Sequence, residues 1–254
     1  MAQTKIKNRQ ISGGLDGWIP AEETWTYASA DDPTYTFTIS GDKTSKYSAG
    51  MRIKLTQTTA KYFIVTKVAY SSPNTTVTVY GGTDYDLANA TITSPYYSMV
   101  KAPQGFPLDP DKWSVETKDT SDRTQASPGN GTWYNLGSIS ISIPIGSWKV
   151  RHEECVYVTS ISATANITTQ VQSTLSSANN SESDTDFTTF LYTTAYASSS
   201  SIRNGATTGR EKYLNLSSKT TYYLNARTRQ TSDVALYFYG SYSPSIIRAT
   251  CAYL

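Results

Sequence analysis

The feature that most constrains this chain is a two-residue alternation of polar and apolar side chains. It is clearest at residues 138–145, where every odd position is isoleucine and the even positions are serine or proline. Successive side chains of a strand point to opposite faces, so this pattern predicts strands with one buried and one solvent-facing side. The same alternation recurs at Tyr35/Phe37/Ile39, Met51/Ile53/Leu55, Val77/Val79, Val234/Leu236/Phe238 and Ile247/Ala249/Cys251/Tyr253. The sequence therefore predicts an all-β protein.

Chain length and a proline-rich break at residues 102–110 predict two β domains joined by a linker. The chain has 254 residues, enough for one large all-β domain or two smaller ones. Residues 102–110 carry three prolines in nine positions and no periodicity. Proline removes a backbone donor that a sheet needs. We therefore predict a flexible N-terminal arm at 1–14, an N-terminal β domain at 15–102, a proline-rich linker at 103–111 and a C-terminal β domain at 112–254.

Each domain is expected to consist of short antiparallel strands between turn-forming residues. For the N-terminal domain, a small barrel or sheet, the predicted strands are Thr34–Ser40, Met51–Gln57, Tyr62–Tyr70 and Thr75–Tyr80. About eight strands in the C-terminal domain are typical of an antiparallel sandwich, here of jelly-roll type. They are predicted at Trp113–Asp119, Thr132–Pro144, Ser147–Ala165, Thr188–Tyr196, Tyr213–Leu216, Thr221–Arg229, Val234–Tyr239 and Ile246–Tyr253.

Two polar stretches interrupt the alternation in the C-terminal domain. Residues 170–186 and 197–209 are rich in serine, threonine and asparagine and show no period. Loops of such length are commonly either functional or disordered. We expect loops in both places.

Charge and hydropathy exclude several classes of partner. Lysine and arginine number 22 and aspartate and glutamate 20, for a net charge of +2. So weak a field favours neither nucleic acid nor an anionic membrane as a partner. No run of about 20 apolar residues that could span a bilayer occurs, and the polar N-terminus does not resemble a secretion signal.

The single histidine is the natural place to look for catalysis or metal binding. His152 lies beside Glu153, Glu154 and Cys155, which suggests a metal or nucleophile cluster. On a strand, however, His152 and Glu154 share one face while Glu153 and Cys155 share the other. We therefore expect a cross-strand polar contact for the pair of His152 and Glu154, no metal and no cofactor.

The two cysteines, Cys155 and Cys251, leave two interpretations open. A disulfide is geometrically possible, but in a reducing cytosol two such residues are more often small buried hydrophobes. We favour the second interpretation.

Aromatic side chains are the remaining candidates for ligand contact. Their flat faces and polar tips suit packing on sugar rings or on partner proteins. The alternative is that the tryptophans fill the core and the tyrosines form cross-strand ladders, which we favour for any single residue. The candidate ligand-binding residues are Trp133, Trp148, Tyr192, Tyr196, Tyr237 and Tyr239, with Tyr134 and Tyr242 in the wider set.

Phrases along nearly the whole chain resemble a known group of proteins. In the first half they are residues 17–20 (GWIP), 23–27 (ETWTY), 37–42 (FTISGD), 47–57 (YSAGMRIKLTQ), 77–85 (VTVYGGTDY) and 101–107 (KAPQGFP). In the second half they are 142–148 (SIPIGSW), 212–216 (KYLNL) and 246–254 (IIRATCAYL). This sequence is similar to minor structural proteins of tailed bacteriophages and of prophages of Gram-positive bacteria.

The resemblance implies a non-enzymatic virion protein that is assembled in the bacterial cytoplasm. It supplies no catalytic or ligand-binding residue. Neither the Gly-X-Y repeats nor the heptads of a fibre shaft are present, so a tail-tip or baseplate appendage or a head decoration protein is expected rather than a long fibre.

The expected partners are other capsid, tail or baseplate proteins and further copies of this chain, with a trimer favoured; host cell-wall polysaccharide is an additional candidate. The alternative function is a carbohydrate-binding, lectin-like receptor-binding module. A glycosidase ranks third, because catalytic carboxylates are paired in space rather than in sequence.

Overall fold

The prediction of an all-β protein is confirmed. A computed structural model describes residues 16–160, 167–195, 204–229 and 234–254. The helical segments in these ranges are short 3-10 turns at Pro110–Trp113, Leu136–Ser138 and Thr185–Phe187. The arm predicted at 1–14 and the candidate Tyr196 lie outside the described residues.

The N-terminal region is one antiparallel sheet of seven strands. The strands are β1 (Ile19–Pro20), β2 (Thr26–Asp31), β3 (Thr34–Ser40), β4 (Arg52–Thr56), β5 (Ala60–Ser71), β6 (Asn74–Tyr80) and β7 (Thr93–Ser98). Their spatial order in the sheet is β1-β7-β4-β5-β6-β3-β2. The alternating residues of β3, β4 and β6 point inward and pack around Trp25, which stacks on Phe37 with ring centroids 4.4 Å apart.

The C-terminal region is a sandwich of two antiparallel sheets. Its strands are β8 (Ser114–Asp119), β9 (Asp122–Ala126), β10 (Ser140–Ile143), β11 (Gly146–Ser160), β12 (Ile167–Ser176), β13 (Leu191–Ala195), β14 (Asn204–Leu216), β15 (Thr220–Thr228), β16 (Val234–Tyr239) and β17 (Ser245–Cys251). One sheet has the order β10-β15-β12-β13, and the larger one β8-β17-β11-β16-β9, with β14 also on β11. The inner faces of both sheets enclose one hydrophobic cluster. The finer prediction of jelly-roll type stays a prediction.

Strand β11 organises the larger sheet because it has three partners. Along one edge it pairs with β14 from Gly146 to Val158. Along the other edge it pairs first with β17, up to Glu153, and then with β16, from Val156 onward. Residues 154 and 155 of β11 therefore lie between the segment paired with β17 and the segment paired with β16.

The predicted linker packs between the two regions. Phe106 is buried and stacks on Trp113 at 5.0 Å with the ring planes 5° apart. The indole N–H of Trp113 donates to the Pro107 carbonyl oxygen at 2.7 Å, and that of Trp18 donates to the Gln104 carbonyl oxygen at 2.9 Å. The proline-rich segment thus buries Pro103 and Phe106, while most of its other residues are exposed. Whether the regions on either side fold independently stays a prediction.

Arg52 also joins the two regions. Its buried guanidinium donates to the carbonyl oxygens of Lys101, Gly50 and Tyr253, at 3.0, 2.8 and 2.9 Å. It lies over the ring of Phe106, 4.9 Å from the centroid. A side chain of β4 therefore holds the backbone near the C-terminus against the N-terminal sheet.

Three predictions of local structure were wrong. Residues 170–176 of the loop predicted at 170–186 belong to β12, and the loop predicted at 197–209 ends inside β14. The strand predicted over Thr132–Pro144 is confined to β10, because Gly137 and Ser138 adopt positive φ angles of 75° and 57° in a 3-10 turn. None of the helical segments that the structure describes is long and apolar enough to cross a membrane.

Candidate functional site

The two tryptophans proposed as ligand contacts are core residues, which corrects their assignment. Trp148 is fully buried between the sheets, its ring 4.9 Å from that of Tyr80. Trp133 is 8% exposed, and the guanidinium of Arg227 covers its face at 4.3 Å. Neither ring offers a free face to a ligand. The interpretation that the tryptophans fill the core describes them correctly.

Tyr192 lies on β13, an edge strand of the smaller sheet, and is 62% exposed. Its hydroxyl accepts a hydrogen bond of 2.6 Å from the side-chain amide of Gln170, and its ring meets Phe190 edge-on at 5.1 Å. Tyr192 is therefore accessible, but it is well separated in the fold from Tyr237 and Tyr239, which lie on the other sheet.

Tyr237 and Tyr239 belong to a cluster on the outer face of the larger sheet that we call the tyrosine array, together with Tyr157 and Tyr242. Tyr157 and Tyr237 are directly opposite on β11 and β16, and their rings stack at 4.7 Å and 5°. Tyr239 contacts Tyr157 at 5.4 Å and stacks on Tyr242 at 5.6 Å and 15°. The array is a cross-strand ladder that continues into an exposed ring.

A glycine leaves room for the base of the tyrosine array. Gly205 on β14 is paired with Tyr157, and a Cβ atom added there would lie 2.3 Å from the Cβ atom of Tyr157. Any other residue would therefore displace Tyr157, which is 3% exposed and supports the rings above it. Outward from this base, Tyr237 and Tyr239 are half-buried and Tyr242 is 80% exposed.

Backbone hydrogen bonds fix the turn that carries Tyr242. The amides of Tyr242 and Ser243 both donate to the carbonyl oxygen of Tyr239, at 3.2 and 3.0 Å. The amide of Ser241 donates to a carboxylate oxygen of Asp122 at 3.0 Å. Asp122 is exposed and is paired with Tyr239 across β9 and β16. The turn thus bonds a carboxylate to the residue that precedes the exposed Tyr242.

The second feature is a buried polar cluster between the two sheets, formed by His152, Glu154, Ser173, Thr189 and Thr208. The imidazole of His152 is 2.8 Å from Glu154 through Nδ1 and 2.8 Å from the Phe187 carbonyl oxygen through Nε2. The other oxygen of Glu154 accepts from the hydroxyls of Ser173 and, at 2.9 Å, Thr208. The hydroxyls of Ser173 and Thr189 share a hydrogen bond of 2.5 Å.

The arrangement of the buried polar cluster favours a charged imidazole. A carboxylate and a carbonyl oxygen are both acceptors, so each ring nitrogen is required to donate a proton. Burial would lower the pKa of His152 and Arg210 opposes its charge, but the Glu154 carboxylate and the two hydrogen bonds outweigh both, so the pKa is raised above its ordinary value. The hydrogen-bond geometry thus favours an imidazolium paired with a carboxylate.

The facing predicted for residues 152–155 is observed. His152 and Glu154 are both buried and point inward, while Glu153 and Cys155 are half-buried on the outer face. His152 bonds to Glu154 on its own strand, and the pair makes a cross-strand polar contact through Glu154, which accepts from Thr208 at the paired position of β14 and also from Ser173 on the facing sheet. Both side chains are fully enclosed.

Cys155 and Cys251 are free thiols. Cys251 is opposite the inward-facing Trp148 in the β11–β17 pair, whereas Cys155 is on the outer face of β11. Burial raises the pKa of the Cys251 thiol to about 11, which keeps it protonated and unreactive. Among the described residues, no group of three or more histidine, cysteine, aspartate or glutamate side chains is placed to hold a metal ion.

Sequence reasoning missed part of the tyrosine array. Tyr157 and Asp122 were not candidates, and Tyr242 was only in the wider set. The available signals were the i, i+2 spacing of Tyr237 and Tyr239, which puts both on one face, and the turn residues around Tyr242. The pairing of β16 with β11 and β9 could not be read from either signal.

Comparison with known proteins gives little similarity. No protein-family model matches the chain, and no curated protein matches it. Among solved structures, the infectious bursal disease virus VP2 subviral particle is 11% identical with a TM-score of 0.24, over 93% of this chain and 62% of that chain. The Gx strain of infectious bursal disease virus is 12% identical with a TM-score of 0.25, over 90% of this chain and 62% of that chain. The chain thus spans about three fifths of these proteins, and similarity this low carries no argument about function.

Proposed function

We propose that this chain is a structural accessory protein of a tailed-bacteriophage virion, either a tail-tip or baseplate appendage or a head decoration protein. The resemblance to minor phage structural proteins supports this proposal, since its phrases extend from residue 17 to residue 254. In this role the N-terminal part attaches to the particle and the C-terminal sandwich is displayed outward.

The structural observation that best supports this role is the continuous packing between the two β regions. Ile64 and Tyr80 of the N-terminal sheet belong to the same hydrophobic cluster as Trp148 and Cys251 of the sandwich. Arg52 adds hydrogen bonds from β4 to the backbone at Lys101 and Tyr253. A shared core of this kind resists hinge motion, so the displayed sandwich keeps a fixed orientation relative to the N-terminal sheet.

Attachment through several copies would suit such a protein. A homo-oligomer, with a trimer favoured, converts weak single contacts into firm attachment through effective concentration. The polar arm at residues 1–14 is the proposed anchor to a neighbouring capsid, tail or baseplate protein.

The test is the presence and position of the protein on purified particles. Particles should be prepared from a host that produces the wild-type chain or a variant lacking residues 2–14, and examined by quantitative mass spectrometry and immunogold electron microscopy. We expect label at a symmetric position on wild-type particles and its loss with the truncated variant. A variant with the same arm residues in scrambled order is the matched control for arm length.

Two results would count against this proposal in different ways. Absence of the wild-type protein from purified particles would refute the virion role. Full occupancy by the truncated variant would show that the anchor is elsewhere in the chain.

The second candidate function is carbohydrate binding by a lectin-like module. The tyrosine array favours it, because exposed aromatic rings beside a carboxylate are suited to a sugar. An appendage that binds host cell-wall polysaccharide would combine both functions.

A further inference from the structure

The exposed ring of Tyr242 is held in one orientation. An exposed tyrosine on a turn would ordinarily sample several rotamers. Here Tyr242 stacks on Tyr239 at 5.6 Å and 15°, and Tyr239 contacts the buried Tyr157. The two turn hydrogen bonds to the Tyr239 carbonyl oxygen fix the backbone as well. The outer face of Tyr242 is therefore a preorganised apolar platform, which lowers the entropic cost of binding.

A hydrogen-bond acceptor accompanies this platform. One carboxylate oxygen of Asp122 accepts from the Ser241 amide, and the second makes no hydrogen bond to any residue that the structure describes. Thr124, exposed and paired with Tyr237, adds a hydroxyl on the same face. The site thus combines a flat ring with a carboxylate. One oxygen of this carboxylate is bonded to the Ser241 amide, and the other has no hydrogen-bond partner among the described residues.

This combination selects the chemistry of the ligand. A pyranose ring has a C–H face that packs on an aromatic ring and adjacent hydroxyls that donate to a carboxylate. The negative charge of Asp122 disfavours a polyanion. A protein partner would call for a larger apolar patch with aliphatic anchors, whereas Tyr242 is flanked in the chain by Ser241 and Ser243, and Asp122 bonds to Ser241.

We infer that Tyr239, Tyr242 and Asp122 form a binding site for a neutral, hydroxyl-rich saccharide on the outer face of the larger sheet. The inference rests on the proposed function in one respect, namely that the sandwich is displayed to the host surface. Tyr242 supplies the stacking face, Asp122 accepts hydrogen bonds from sugar hydroxyls, and Tyr239 orients the Tyr242 ring.

Affinity gel electrophoresis of the full chain tests the site. The probes are neutral glucan, galactan, mannan and rhamnan, with dextran sulfate as the charged comparator. We expect at least one neutral polysaccharide to retard the wild-type protein. Loss of one stacked ring in Tyr242→Ala should weaken this binding about two- to tenfold. Asp122→Asn, which keeps an oxygen for the Ser241 amide, should weaken it about tenfold or more, because a charge-assisted hydrogen bond is lost.

Tyr213→Ala is the matched control. Tyr213 is 66% exposed on the outer face of the same sheet, on β14, and its replacement should leave retardation unchanged. Circular dichroism of each variant verifies folding. The inference is overturned if no neutral polysaccharide retards the wild-type chain, if Tyr242→Ala and Asp122→Asn bind as the wild type does, or if dextran sulfate binds best.

Particle occupancy separates failure of this inference from failure of the proposed function. Tyr242→Ala should decorate virions at wild-type occupancy. Reduced occupancy would mean that Tyr242 contacts a virion protein, which overturns the saccharide site and supports the virion role. Saccharide binding by a protein that is absent from particles would leave the site in place and refute the virion role.

Discussion

The N-terminal sheet and the C-terminal sandwich bury polar side chains in different ways. In the N-terminal sheet, Gln57 and Thr75 bond to backbone carbonyl oxygens of neighbouring loops, while the aromatic and aliphatic cluster around Trp25 fills the interior. In the sandwich, His152 and Glu154 bond to each other, and Glu154 also accepts from Ser173 of the facing sheet and from Thr208 of the neighbouring strand. Apart from Arg52 at the junction with the sandwich, the first interior depends on packing and on neutral hydrogen bonds, whereas the second also contains a buried pair of ionisable side chains. The stability of the sandwich should therefore change with pH and on substitution of its buried ionisable residues. The stability of the N-terminal sheet should be less sensitive to pH.

The largest effect is expected from Glu154→Ala. It leaves the His152 imidazolium buried without its partner, and breaking one side of a buried pair costs about 3–5 kcal/mol of the free energy of unfolding. Urea denaturation followed by circular dichroism measures the loss. The control is Glu153→Ala on the outer face of the same strand, which should change stability by less than about 0.5 kcal/mol. Equal losses for both variants would contradict a special role for the buried pair.

Leu55→Ala makes the corresponding change in the N-terminal interior. Leu55 is fully buried on β4, and truncating such a side chain costs about 2–5 kcal/mol. Because the cavity carries no charge, the loss should be the same at pH 6 and pH 9. Denaturation at both pH values checks this, and a loss that changes with pH would show that the two interiors are not as distinct as their contacts indicate.

Arg52→Ala tests how strongly the two regions are coupled. It removes the charged donor to three carbonyl oxygens, and we expect a total loss of about 1.5–3 kcal/mol in the free energy of unfolding, the contribution of hydrogen bonding to a charged group. We expect a lower midpoint and a separation of the thermal unfolding into two transitions in calorimetry. Lys67→Ala, exposed on β5, is the control. Two well-separated transitions in the wild-type chain would argue that the regions already unfold independently.

The smallest effect concerns the charge of His152. Its pKa is raised in the folded protein, so its stabilisation is fully present below the ordinary value of about 6.5 and is lost as pH rises through the folded pKa. The free energy of unfolding should fall by about 1.4 kcal/mol for each pH unit that separates the unfolded pKa from the folded one. Glu154 and Arg210 are the charged groups that face the imidazole. Since the chain has one histidine, its imidazole proton resonance reports the pKa directly.

A matched variant completes the pH experiment. His152→Gln removes the titrating group, so the decline in stability over this window should flatten. An imidazole that titrates at or below 6.5, or an unchanged pH dependence in His152→Gln, would contradict the buried charged pair.

Clean alternation explains where sequence analysis succeeded. Thr34–Ser40 and Val234–Tyr239 have aliphatic or aromatic residues on the buried face and are strands with the predicted bounds. The alternation failed at β12, where Thr169, Ser173 and Thr174 are buried beside Val171 and Leu175. Buried hydroxyl residues look like solvent-facing ones in a sequence. They are buried here because each has a hydroxyl or carboxylate partner: Ser173 bonds to Glu154 and Thr189, Thr169 to Thr228, and Thr174 to Thr188.

The proline-rich segment illustrates a second limit. Its composition predicts exposed chain, and Leu108 is indeed exposed. Phe106, however, is enclosed by Trp113, Tyr62 and Arg52. Whether an aromatic side chain in irregular backbone is buried depends on which distant elements pack around it. Local composition does not predict that packing.

The sequence by itself determined the secondary-structure class, most strand positions and the facing of His152 and Glu154, because period-two alternation is a local property of extended backbone. The tertiary structure alone decided that these two side chains would be sealed against hydroxyls of β12 and β14. It also decided that the candidate tryptophans would be buried and that Tyr242 would stack on Tyr239 beside Asp122. Each of these outcomes joins residues far apart in the chain through strand pairing, and the order and register of strands are set by the packing of the whole sheet rather than by any segment alone.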